Sequence, residues 1–296
     1  MSQITGQKYD LAALKKVGTI QQRDKEYFVL RLRLVGGDIT SRDMESVTAI
    51  AREYGRGEIH LSTRQGIEIP FVPAGRAEAA RNAVEAAGLK MGACGPRFRV
   101  VIACPGNTVC KWGTLDTKSL AREMDEKYFG TETPHKFKMA ITGCPNNCAK
   151  STENDIGIMG AILPGWQEEI CTDCKLCVNV CPTGAITREA RDGGKGRYIL
   201  SEEKCINCSI CTSSCPVNSW IPVKIGCNLT IGGTMGKIPR LGTILKKLVT
   251  DPEELRDLVA KSIAYYQKNG RKRERFGHMI DRMGVEKVNQ EILNGN

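Results

Sequence analysis

Residues 136–148 read KFKMAITGCPNNC, and the rest of the chain is best understood outward from them. Successive side chains of a strand point to opposite faces. A strand over 136–142 therefore puts Lys136 and Lys138 on one side and Phe137, Met139 and Ile141 on the other. Two ammonium groups share a face while three apolar side chains can enter a core. Gly143 ends the strand, and Cys144-x3-Cys148 follows at once. Upstream, Cys104-x5-Cys110 supplies the other half of a set of four thiols. On spacing alone such a set suits a zinc ion or an iron–sulfur core, so the neighbouring residues must discriminate.

Those neighbours are cationic. A strand expected over 97–103 would set Arg97 and Arg99 opposite Phe98 and Val100. A further cation, Arg64, sits in the polar turn Ser62-Thr63-Arg64-Gln65-Gly66. Taken singly, an arginine in a turn is ordinarily a solvated charge, and a Lys-x-Lys strand is the wet face of a sheet. Beside a thiol set they point instead to one cavity whose cations hold a small dianion and supply it with protons.

A second cysteine pattern lies further on. Cys171-x2-Cys174-x2-Cys177-x3-Cys181-Pro182 is followed by Cys205-x2-Cys208-x2-Cys211-x3-Cys215-Pro216. The x2 spacing lets one loop wrap three corners of a cube, and tandem zinc sites do not use this run. The repeat resembles the bacterial two-cluster ferredoxin. That resemblance implies one [4Fe–4S] cluster on Cys171, Cys174, Cys177 and Cys215, and a second on Cys205, Cys208, Cys211 and Cys181.

The remaining elements define an α+β chain. Strands are expected at 27–35, 57–62, 66–71 and 97–103, with helices over 41–54 and 75–87, the second stopping at Gly88. This β-α-β-β-α-β order is that of a ferredoxin-like unit. A helix near 117–129 follows, then the strand at 136–142, the Cys-Pro-rich stretch, and a strand at 223–233. Asp251-Pro252-Glu253-Glu254 has the residues of a helix start, with an N-cap and a Pro at the first helical position. The last forty residues read as helical and basic. Within them, the run Arg271-Lys272-Arg273-Glu274-Arg275 reads as a solvated helix face, docking of an acidic electron donor being the minor alternative.

Composition bounds the class. The chain has 296 residues, 26% charged and 41% hydrophobic, and 14 cysteines. Its opening lacks the apolar stretch of an export signal, and no run of about 18 apolar residues exists to span a membrane. The expected location is the cytoplasm, where so many thiols serve metal ligation rather than disulfides. Only Cys94 and Cys227 fall outside the spaced sets, as expected buried free thiols. The formal charge of +10 is weak support for nucleic-acid binding, because three clusters with their thiolates would remove about six charges. Gly232-Gly233-x-x-Gly236 lacks the spacing of a dinucleotide fingerprint. Electrons must then come from an external one-electron donor protein or a partner subunit.

The Ser-Thr-Arg-Gln turn, the Cys104/Cys110/Cys144/Cys148 set and the Lys-Phe-Lys strand together resemble the sirohaem-dependent sulfite and nitrite reductases. The likeness is greatest to the anaerobic and dissimilatory sulfite reductase group, which carries an inserted ferredoxin domain, and it covers nearly the whole chain. It implies a ferredoxin-like half-domain (1–90), a sirohaem and [4Fe–4S] core (91–165 and 223–296) and an inserted two-cluster ferredoxin domain (166–222). It implies sirohaem and three [4Fe–4S] clusters as cofactors, with Cys148 bridging the third cluster to the sirohaem iron. Arg64, Arg99, Lys136 and Lys138 would contact the substrate. Arg97, Trp112, Thr114, Asn146 and Asn147 would meet the macrocycle, though Trp112 also suits a core position. The implied reaction is six-electron reduction of sulfite to sulfide. Nitrite is the nearest alternative, and the second lysine of the Lys-Phe-Lys pair leans towards sulfite. A rival from another class is an electron-transfer subunit without sirohaem. Larger members hold two copies of the half-domain and core; one copy here implies a homo- or hetero-oligomer.

Overall fold

The computed structural model describes residues 2–4 and 7–295. A short hairpin, β1 (Ser2–Ile4) and β2 (Gln7–Tyr9), leads into α1 (Leu11–Lys16). The first unit follows as β3 (Thr19–Gln21), β4 (Tyr27–Arg31), α2 (Ser41–Tyr54), β5 (His60–Leu61), β6 (Ile67–Pro73) and α3 (Ala77–Ala86). Its antiparallel sheet has the order β3-β4-β6-β5. Alternation along β4 sends Phe28 and Leu30 inward, where they meet Val47, Ile50 and Ala51 of α2 and Ala80 and Val84 of α3. Thr40 caps α2, its hydroxyl accepting from Asp43 N. Gly88 follows α3 with φ +77°, a conformation glycine takes without strain.

The second unit comprises β7 (Ile102–Ala103), α4 (Thr117–Tyr128), β8 (Met139–Thr142) and β9 (Ile156–Trp166). An excursion, α5 (Leu176–Val180), β10 (Ile186–Glu189), β11 (Arg197–Leu200) and α6 (Ile210–Ser214), comes next. The chain returns through β12 (Trp220–Ile231) and β13 (Thr243–Val249) to α7 (Pro252–Asn269), α8 (Phe276–Met283) and α9 (Val285–Asn294). The five-stranded sheet has the order β13-β12-β9-β8-β7, with β7, β8 and β9 parallel. Met139, Ile141, Ile156, Ile158, Leu229 and Ile231 share one core with side chains of α4, α7, α8 and α9. Strands β9 and β12 pair out to Trp166 and Trp220, so residues 167–219 emerge from the tip of a ribbon. Cysteines form half of the excursion's small core, with Ile186, Tyr198 and Trp220.

Three expectations about the first unit change. The strand expected at 97–103 does not close that unit's sheet; β3 takes the fourth place. Residues 97–101 run without regular pairing because their backbone is claimed from two directions. Phe98 N donates to Thr131 O and Arg99 N to Phe137 O, while Phe98 and Val101 sink into the core beside Met124 and Tyr128. Only Ile102–Ala103 is a strand, and it belongs to the second sheet. The strand expected over 27–35 ends at Arg31, and a tight turn follows in which Gly36 has φ +63°. The expected 57–62 strand is two residues long.

The two units are joined by a buried ion pair. Arg33 Nε donates to Asp125 Oδ2 at 2.7 Å, and Asp125 Oδ1 accepts from Val101 N at 2.9 Å. The Asp125 side chain is wholly buried, and that burial pushes its carboxyl up against the opposing pull of Val101 N and Arg33. Removing one partner of such a pair strands the other's charge, at a cost of about 3–5 kcal/mol. Asp125→Ala is expected to lose that much in denaturant unfolding, an amount that a solvated pair would not approach.

Candidate cofactor and anion site

Cys104 follows β7 and Cys144 follows β8, two adjacent parallel strands, so both thiols leave the sheet at the same edge. The loops they begin are packed backbone against backbone. A Cβ on Gly113 would stand 2.6 Å from Asn107 N, and one on Gly143 would stand 3.2 Å from the Gly113 Cα. Only glycine permits that approach. Gly143 N donates to Cys104 Sγ at 3.1 Å, and Cys110 N to Gly106 O at 2.8 Å. Burial raises the Cys144 thiol, and Cys110, Cys104 and Cys148 crowd it further. Cys104, Cys110 and Cys148 thus all lie near enough to Cys144 to act on it. Cys104 and Cys144 are buried, whereas Cys148 is exposed.

Some of the residues expected near a macrocycle are already engaged. Asn147 Oδ1 accepts from Ser151 N and Ser151 Oγ, and its Nδ2 donates to Thr152 Oγ1. Thr114 donates to Gly143 O through both N and Oγ1. These two brace the cysteine loops. Asn146 and Trp112 line a groove with Cys144 and Pro145, and its opposite wall carries Pro182 and Cys208 of the excursion.

Within the excursion, Cys171, Cys174, Cys177 and Cys215 line one pocket with Tyr198 and Trp220. Burial raises the Cys205 thiol, and Cys208 and Cys181 lie close enough to add to it. Burial also pushes Cys211 up to about 12, with Cys208 and Cys205 beside it. The fourth cysteine of each run therefore joins the other run's group. The two loops share a backbone pattern: Asp173 and Lys175 have positive φ, and so do Asn207 and Ser209. Amides aim at sulfur in both, with Asp173 N towards Cys171 Sγ, Asn207 N towards Cys205 Sγ, Ala185 N towards Cys181 Sγ and Ser219 N towards Cys215 Sγ. Such donors stabilise thiolates, and sets of four thiols fit cubane clusters.

A cavity of about 190 Å³ lies where the two units meet, lined by Arg31, Ser62, Arg64, Arg99 and Lys138 among others. The turn that carries Arg64 is docked by its neighbour: Gln65 Nε2 donates to Ala103 O, and Gln65 Oε1 accepts from Ala103 N. Arg64 donates to Asn154 Oδ1 at 2.8 Å and to Val100 O at 2.9 Å. Burial, and Arg99 nearby, draw it down to about 10. Arg99 donates to Ala93 O and Gly95 O, each at 2.9 Å. Lys138 is pushed down to about 8 by burial first and then by Arg64, Arg275 and Lys136, with Asp155 opposing. Lys136 is lowered by burial, then by Arg275 and Arg99. The four expected cations thus sense one another. Arg97 does not line the cavity; it pairs with Glu132 at 3.6 Å.

The sequence reading missed Arg275. Residues 271–275 are not a helix face but the turn between α7 and α8. Arg275 is 6% exposed and pairs with the fully buried Asp155. The available signal was the apolar helix Phe276–Met283 directly after it, which draws its flank inward. Arg31 was missed too; it donates to Cys94 Sγ and pairs with Glu68. Cys94 and Cys227 are both buried, as expected.

Among the described residues, the buried Nε atoms of Arg97, Arg99 and Arg275 have no hydrogen-bond partner. Guanidinium donors left over in this way suit the carboxylates of a tetrapyrrole and the oxygens of a small anion.

The fold and these thiol sets define an iron–sulfur redox domain of the nitrite and sulfite reductase type. Residues 94–295 match the nitrite and sulphite reductase 4Fe-4S domain, and residues 20–87 match the nitrite/sulfite reductase ferredoxin-like half domain. The chain belongs to this family. It is 33% identical to the coenzyme F420-dependent sulfite reductase of Methanocaldococcus jannaschii, over 93% of this chain but only 43% of that relative. It is 30% identical to one of the subunits of the anaerobic sulfite reductase of Salmonella typhimurium, over 90% of this chain and 83% of the relative. The dissimilatory sulfite reductase I structure superposes with a TM-score of 0.74 at 19% identity, covering 90% of this chain and 69% of that one.

Proposed function

We propose that this chain is a sirohaem-dependent reductase that takes sulfite to sulfide with six electrons, fed by its own two-cluster ferredoxin domain. The observation that carries the reading is the cavity: Arg64, Arg99 and Lys138, with Lys136 close by, converge where the half-domain turn meets the strand leading to Cys104. A pure electron carrier has no use for partly desolvated cations facing one another. A dianion offsets their mutual repulsion, which is why such a set binds one.

Cys104, Cys110, Cys144 and Cys148 would hold one cluster, and Cys148, the exposed one of the four, would also help to hold the sirohaem. Arg97, Trp112 and Asn146 would line the macrocycle, and Thr114 and Asn147 would shape its bed through the loops they brace. When bound, these groups supply the electrons and the iron at which sulfur is reduced. The chain's own residues do the rest. Arg64 and Arg99, fixed by backbone carbonyls and Asn154, grip oxygens of the anion. Lys138, drawn down to about 8, hands a proton to a departing oxygen, which leaves as water once it carries two. Each S–O bond broken consumes two electrons and two protons.

The other sequence expectations belong with this reading: the domain limits 1–90, 91–165, 166–222 and 223–296, a cytoplasmic location, an external electron donor and an oligomeric assembly. No described helix is long and apolar enough to cross a membrane.

Anaerobically purified protein is expected to show tetrapyrrole absorption bands and about 13 irons per chain, from three cubes and one haem iron. About 12 irons without those bands would leave an electron-transfer subunit instead.

A further inference from the structure

The basic run 271–275 is bonded to the back of the anion cavity. Arg273 N donates to Pro134 O at 3.1 Å. Tyr266 Oη donates to Glu274 O at 2.6 Å and accepts from His135 N at 3.1 Å. Arg275 Nη2 donates to Asp155 Oδ2 at 2.7 Å. Helix α8 is pressed onto the same wall, since a Cβ on Gly277 would collide with the Gly232 carbonyl. The segment reached by these bonds leads directly into Lys136 and Lys138.

Asp155 is the hub. Its Oδ2 also accepts from Lys138 N at 2.8 Å, and its carbonyl accepts from Gly232 N at 2.8 Å. Next to it, Asn154 Oδ1 accepts from Arg64 at 2.8 Å. One dipeptide thus holds the backbone of one cavity cation and the guanidinium of another. Burial pushes the Asp155 carboxyl up, and Arg275, with the Lys138 amide and ammonium, pulls against it; Arg275 is the counter-charge hydrogen-bonded to it.

We propose that Asp155 and Arg275 are positioning residues of the anion site: the guanidinium keeps the carboxylate charged, and the carboxylate sets the place and the charge of Lys138. The proposal rests on reading the cavity as the sulfite site. The charged groups around Lys138 are Arg31 and Glu68 from the first unit's strands, Arg64 from the turn and Arg99 from the extended segment. His135 and Lys136 come from its own segment, Asp155 from the approach to β9, and Arg275 from the C-terminal turn. Of the two carboxylates, Glu68 is taken by Arg31 at 2.6 Å. Asp155 is left to hold the Lys138 proton against burial and the neighbouring cations Arg64, Arg275 and Lys136.

The test is calorimetric titration of the holoprotein with sulfite across the neutral and alkaline range, with thermal unfolding of each variant alongside. Asp155→Asn is expected to weaken sulfite binding by roughly tenfold and to move its alkaline limb to lower pH. Arg275→Met is expected to lose a similar factor, and Arg275→Lys to stay within roughly threefold of the parent. Sulfite's own titration is common to all of them and cancels. If Arg275→Met does not fold, Asp155→Asn and Arg275→Lys carry the comparison. Unchanged affinity at every pH would overturn the proposal. So would affinity that falls only in step with thermal stability while the limb stays put. A parent holoprotein that binds no sulfite at all refutes the cavity reading itself, a separate result.

Discussion

Lys138→Met is expected to cut sulfite turnover by a factor of about 100 to 1,000. Methionine keeps much of the side chain's bulk but removes both a charge facing the anion and a proton donor drawn down to about 8. The pH dependence gives a second reading of the same residue. Its ammonium is present below about 8 and is lost as pH rises through that value, so the native rate should fall on the alkaline side. Lys138→Arg keeps a charge that does not titrate there, and its alkaline fall should be lost along with much of the rate. The shift has the opposite consequence for the anion-free fold. Between about 8 and the ordinary lysine value the unfolded chain binds the proton and the folded one does not, so stability rises with pH in that window. Steady-state kinetics with a chemical one-electron donor decides the matter. A Met variant within threefold of the native rate would remove Lys138 from the chemistry.

Cys144→Ala is expected to abolish sulfite reduction and to lower the iron content by about five, one cube and the haem iron it supports. Cys144 is buried at the edge of the sheet, where Gly113 and Gly143 bring its loop against that of Cys104. Three thiols cannot close that set. Cys208→Ala is the control. It lies in the excursion, across the groove from Trp112 and Asn146, so the tetrapyrrole bands should survive while electron delivery slows. Equal loss of tetrapyrrole in both variants would mean that the excursion is needed to build the core site, and the division of labour proposed for the two regions would fail.

Much of this arrangement was legible in residue spacing. Phe137, Met139 and Ile141 are fully buried as expected, but the strand spans only Met139–Thr142 and not 136–142. Ala140 and Thr142 are buried as well, because the strand lies between two neighbours in the sheet. The tandem cysteine runs announced two groups that exchange their fourth members, and Cys215 lines one pocket with Cys171, Cys174 and Cys177. The helices expected over 41–54 and near 117–129 are present, the second ending at Tyr128, because capping residues and periodic apolar positions agree there. Other features were not readable for definite reasons. The path of 97–101 is set by the carbonyls of 131 and 137 and the amides of 130 and 137, which no local pattern encodes. Arg275 looks like any member of a basic run until α8 is placed against Gly232.

Local periodicity and cysteine spacing thus determined by themselves which residues could face a core, which could bind iron and which carried charge. Those properties depend on neighbours a few positions away. What only the tertiary structure decided is where the charges meet. Arg64, Arg99 and Lys138 come from three separate stretches, and they face one cavity, with Arg275 from a fourth behind it, because Gln65 clamps the turn to Ala103 and Asp155 ties the Lys138 backbone to the C-terminal turn. Electrostatic fields add through space, and the chain's order along its length carries no record of the sum.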